Sequence, residues 1–168
     1  AEELWSRIAK SAHAPLEMRA DAGGNLAVLA MDTLDLETAR AAVREALDLA
    51  SQGSHEAAEA RPWGNLAPLA LRGGALAEAR RSFLRAAEHF DRAGDEQGLA
   101  QVWNALGEVA LRQGEHEAAG EYFSDAFECL ASHGALREAA VARANQAHLL
   151  KRQGQILRAR ALYEEVQA

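Results

Sequence analysis

A chain of 168 residues, 49% of them apolar, has ample material to bury. Its net charge of −7 and pI of about 5.4 exclude general nucleic-acid binding, which needs a basic face. One cysteine, Cys129, excludes an internal disulfide framework and suits a reducing, cytoplasmic setting. No run approaches about 18 uninterrupted apolar residues, so no membrane span is expected, and no signal-peptide pattern opens the chain.

In chain order, apolar residues recur at helical spacing, i, i+3, i+4 and i+7. With only three prolines and no β-branched runs, the chain reads as all-α. Residues 1–11 predict a first helix. Helices then follow in pairs near 15–32 and 36–51, 55–72 and 76–92, 96–112 and 116–131, and 136–152 and 155–167, nine in all. Pro15 suits the first turn of its helix. Gly23-Gly24 are expected to weaken the second helix, and Pro62 and Pro68 to kink or loosen the fourth. Gly74, Gly114 and Gly154 mark the turn inside successive pairs.

The pairs are copies of one another. Asn25-Leu26-Ala27 returns after 40 residues as Asn65-Leu66-Ala67, then as Ala105-Leu106-Gly107 and Asn145-Gln146-Ala147. Ala39, Ala79, Ala119 and Ala159 keep the same step. A fixed period of this size means stacked helical units rather than one globular core. The expected organisation is a single solenoid domain over 1–168. A partial unit at 1–11 precedes units at about 12–53, 54–93, 94–133 and 134–168.

Trp103, Leu106, Gly107, Ala110, Ala119 and Phe123 resemble the signature of the tetratricopeptide repeat, as do Trp63, Leu66, Ala67, Ala70, Ala79 and Phe83. The first and last units depart from it: Gly23 and Arg143 replace Trp, Val43 replaces Phe, Gln146 replaces Leu, and the closing Pro is absent throughout. Long units of this kind are similar to those of bacterial signalling ATPases and transcriptional regulators, kinesin light chains and spindle-orientation adaptors. The resemblance implies a right-handed superhelix. Its first helices, A, line a concave groove that binds a peptide or protein segment without catalysis and without a cofactor. The small residues on helix A should face the Ala39-to-Ala159 series on helix B, letting the axes approach.

The groove candidates follow from the repeat. Asn25, Asn65 and Asn145 recur in register, with Asn104 one step early in the third unit. A ladder of carboxamides can hold the backbone of an extended peptide; alternatively it bonds the neighbouring helix and sets unit spacing. Arg72, Arg112 and Arg152, with Lys151 beside the last, form a second ladder suited to an acidic segment. The same cations also favour the helix macrodipole at a C-terminus. Glu108 and His148 complete this face. Trp5 and Ile8 stand where later units carry charge, which suggests a cap, a partner contact or self-association, whereas a slip of one residue would put Leu4 and Ile8 in the core.

No His-x3-His pair occurs, and no histidine reads as a metal partner of Cys129. No glycine loop fit for phosphate appears either. The expected function is a protein- or peptide-binding scaffold. The alternative is a regulatory or sensor fragment of a larger signalling ATPase or transcriptional regulator, which a start at Ala1 and an end without a capping helix favour. End-to-end stacking through open solenoid ends is the third reading.

Overall fold

The computed structural model describes residues 2–11, 13–32, 36–51, 63–64, 68, 70–71 and 74–167. Among these, every regular element is an α-helix: α1 (Glu2–Ala9), α2 (Leu16–Asp32), α3 (Leu36–Ser51), α4 (Leu76–Ala93), α5 (Glu96–Gln113), α6 (His116–Ser132), α7 (Leu136–Arg152) and α8 (Ile156–Gln167). These bounds match the sequence reading to within a residue or two. The helix expected over 55–72, with Asn65, Arg72 and the effect of Pro62, lies mostly outside the described residues. No helix among the described residues is long and apolar enough to cross a membrane.

The chain divides into two compact units, Ala1–Gly94 and Asp95–Ala168. In the first, α1 packs on α2 and α2 on α3. Ala30, Ala39 and Val43 form the buried contact between α2 and α3, flanked by Ala42 and Leu47. Gly23-Gly24 do not interrupt α2, which runs unbroken through them. A Cβ at Gly23 would stand 3.0 Å from the Ala46 Cβ, so the missing side chain lets the two helices approach closely. That close packing offsets the entropic cost of two glycines in a helix. Helix α4 buries Ala79, Ser82, Phe83 and Ala86. Arg40 of α3 and Glu78 of α4 form an ion pair at 3.1 Å.

In the second unit each helix packs on the next, from α5 to α8, and α5 also touches α7. Asp95 caps α5 by accepting the Gly98 amide at 2.8 Å. Gly114 ends it at φ 82°, where a side chain would strain the backbone. Two apolar clusters hold the unit. Ala110, Leu111, Ala119, Phe123 and Leu149 form one. Ala100, Leu130 and Ala139 form the other, with Trp103 and Phe127 packed against it. Trp103 thus packs on a cluster drawn from α5, α6 and α7. One detail differs from expectation. The small residue Gly107 meets the Phe123 ring first, so Phe123 fills a gap inside its own hairpin as well as the gap toward Leu149.

Candidate functional site

Helices α5 and α7 carry most of the expected groove residues, and the structure joins one pair of them. The Asn145 Nδ2 donates to the Asn104 Oδ1 at 3.0 Å, across the two helices. Both residues are half-buried. One member of the ladder, Asn145, therefore bonds a neighbouring helix. That bond leaves capacity unspent: each carboxamide has two donor hydrogens and two acceptor lone pairs. Asn104 keeps its NH2 group, and Asn145 keeps its carbonyl oxygen.

Two rows extend from this pair. On α5, Asn104, Glu108 and Arg112 are spaced four residues apart and share a face. Arg112 is tied to Glu108 by an ion pair within the helix. On α7, His148 lies three residues beyond Asn145 and Arg152 seven, and His148, Lys151 and Arg152 are all exposed. Each row ends on cations in the last turn of its helix, where positive charge is favoured. Lys151 also borders an open cleft of about 350 Å³ with Ile156, Ala159, Arg160, Tyr163 and Glu164.

The remaining candidates are placed differently. Asn25 is exposed on α2, and Asn65 and Arg72 lie outside the described residues. Trp5 and Ile8 are half-buried on the face of α1 that also carries the buried Ala9. Leu4 is 55% exposed, which excludes the slipped register that would bury it. The Arg19 Nε donates to the Ala9 carbonyl at 3.0 Å and anchors the end of α1.

Arg143, at the Trp position of the signature, takes over a packing role. Its guanidinium stacks 4.5 Å from the centre of the Phe127 ring. It also bonds the Glu165 carboxylate at 2.7 and 3.0 Å and Gln146 at 3.2 Å. A planar cation thus joins α6, α7 and α8 where an indole would otherwise pack.

A further group escaped the sequence reading. Glu96 at the start of α5 meets Cys129 and His133 at the end of α6, with one ligand-type atom from each within 4.8 Å of the others. The His133 Nε2 is 3.2 Å from the Glu96 carboxylate. The Cys129 Sγ is 3.8 Å from the His133 Nδ1 and donates to the Glu96 carbonyl at 3.4 Å. Burial pushes the Cys129 thiol pKa up, and the Glu96 charge adds to that shift. The sequence reading sets no histidine beside Cys129, whereas the structure places His133 one helical turn from it. The spacing i, i+4 on one helix was the available signal; Glu96 is far off in sequence and gave none.

With this geometry described, the relatives can be named. Residues 100–128, from α5 into α6, match the tetratricopeptide repeat family. The chain has a fold similar to that of solved tetratricopeptide proteins. It is similar to aspartyl phosphate phosphatase F of Bacillus subtilis, at 14% identity and TM-score 0.85 over 98% of this chain and 43% of that one. It is similar to a signal-transduction ATPase of Pyrococcus horikoshii with a tetratricopeptide repeat sensor, at 16% identity and TM-score 0.84 over 98% of this chain and 25% of that one. It also resembles YrrB, a tetratricopeptide protein described with an unusual peptide-binding site, at 20% identity and TM-score 0.58 over 99% of this chain and 92% of that one. The chain spans less than half the length of the first two. No curated protein matches it in sequence.

Proposed function

We propose that this chain is a protein-interaction module that holds an extended peptide segment against the α5–α7 face. The observation that carries the reading is the Asn145–Asn104 bond, which leaves an amide donor on α5 and an amide acceptor on α7. An extended backbone presents the same alternation of acceptor and donor, so it can pair with both without its sequence being read. The peptide-binding site of YrrB, on the same fold, supports a peptide as the class of ligand. Exposed Lys151 and Arg152 favour an acidic segment, whereas Arg112, neutralised by Glu108, contributes less. The role is binding, without catalysis.

An array of immobilised peptides of graded acidity, probed with the full chain, tests this reading. Binding should rise with acidity and fall in the double variant Asn104→Ala, Asn145→Ala. Equal binding by that variant would show that the amide pair is only a spacer between helices.

A second reading rests on the Pyrococcus horikoshii ATPase, whose tetratricopeptide part is a sensor. In that case the same face would receive a signal for a larger protein. The length of the gene and the domains flanking this segment decide between a free-standing adaptor and a sensor.

A further inference from the structure

We infer that Glu96, Cys129 and His133 form a binding site for a borderline-soft divalent cation, with Zn²⁺ the best match in chemistry. The proposal does not depend on the peptide reading, because these residues lie at the opposite ends of their helices from Arg112 and on a different hairpin pair from Asn145.

The orientation of the imidazole is the first argument. The His133 Nδ1 lies 2.9 Å from the Cys129 carbonyl oxygen. A carbonyl only accepts, so this contact is a hydrogen bond in the tautomer that carries the proton on Nδ1; the Ser132 Oγ lies 3.3 Å from the same nitrogen. In the neutral ring Nε2 then holds the free lone pair, and it faces the Glu96 carboxylate oxygen at 3.2 Å. A cation held between the two would satisfy both acceptors. Imidazoles that bind metals characteristically donate their other N–H to a backbone carbonyl or carboxylate, which fixes tautomer and ring angle. The Cys129 carbonyl is that partner here.

The donor set is the second argument. Thiolate, imidazole and carboxylate together suit Zn²⁺, which takes sulfur, nitrogen and oxygen at tetrahedral positions. On binding, the Cys129 S–H bond to the Glu96 carbonyl is given up and the thiol proton leaves to solvent. The thiolate and the Glu96 carboxylate then balance the two charges of the cation. Three protein ligands leave one position for water or for a donor from a partner. Covalent connectivity adds a third point. Glu96 begins α5 and Cys129 and His133 close α6, so a shared cation would tie the open end of this hairpin, opposite its turn at Gly114. A ligand that binds only the folded hairpin raises its stability by mass action.

The test uses the full chain, reduced with a phosphine and stripped of metal, titrated with Co²⁺ as a spectroscopic stand-in for Zn²⁺. A thiolate-to-cobalt charge-transfer band saturating at one equivalent is expected, and Zn²⁺ should abolish it. Cys129→Ser should lose the band. His133→Ala and Glu96→Gln should each weaken binding about tenfold or more, at least as much as the loss of a supporting residue in known metal sites. Circular dichroism checks that each variant remains helical. In parallel, Zn²⁺ should slow alkylation of Cys129 in the parent chain and not in His133→Ala. Absence of a charge-transfer band in the parent overturns the proposal whatever the variants do. So does a band of unchanged strength in both His133→Ala and Glu96→Gln, which would mean a surface thiol binding cobalt alone.

Discussion

Gly107 and Phe123 occupy one space: a Cβ on Gly107 would stand 2.5 Å from the Phe123 Cε1. Phe123 is 0% exposed, so its ring has nowhere to retreat. The absence of a side chain at the third repeat's small position is what admits the ring. Gly107→Ala gains about 1 kcal/mol of helix propensity and overpacks a closed contact at about 1–3 kcal/mol. The ring is rigid, so the second effect should win. Chemical denaturation should show a lower midpoint for Gly107→Ala, whereas in an open helix the same change would raise it.

Ala119 tests the same packing from the other helix. It is fully buried beside Ala110, Phe123 and Leu149. Ala119→Leu should cost about 1–3 kcal/mol through overpacking, and Phe123→Ala about 3–5 kcal/mol through the cavity it leaves. Thermal melts of the two variants measure this. Parent-like stability of Ala119→Leu would remove the assignment of this contact.

Arg143 should matter through its shape rather than its charge alone. Arg143→Ala loses the stack on Phe127 and a paired contact with Glu165. Each is worth up to about 1 kcal/mol near a surface. Arg143→Lys keeps the charge but lacks the planar fork, and should recover less than half of the loss. Full recovery by lysine, in urea unfolding, would show that charge alone is at work.

Lys151 and Arg152 are exposed, so changing them should leave the fold intact. Lys151→Glu with Arg152→Glu should weaken binding of an acidic peptide, and the parent's affinity should fall as salt rises, because exposed charges are screened. Fluorescence anisotropy at two ionic strengths reads both effects. Arg112→Glu should weaken binding less, since Glu108 already neutralises Arg112.

The helices, their order and most of their ends were legible in the sequence because each is a local event. Apolar spacing marks a face, and a glycine such as Gly114 marks a stop that the backbone itself requires. The 40-residue step set Asn145 in register with Ala105, leaving Asn104 one residue off the ladder. Whether the two amides bonded each other or stood apart was not legible. That depended on side-chain reach across two helices, and the answer was a bond. Gly23-Gly24 leave α2 unbroken, and the close approach of Ala46 on the next helix, which local propensity could not show, accounts for a glycine at position 23.

By itself the sequence determined that this is an all-α chain of repeated helical pairs, because periodicity and turn chemistry act over a few residues at a time. The spacing of Cys129 and His133, about one helical turn, also lies in the sequence but is not read there as a pair. Only the tertiary structure decided that Glu96 joins them, because the start of α5 and the end of α6 meet only once the hairpin has closed around Phe123.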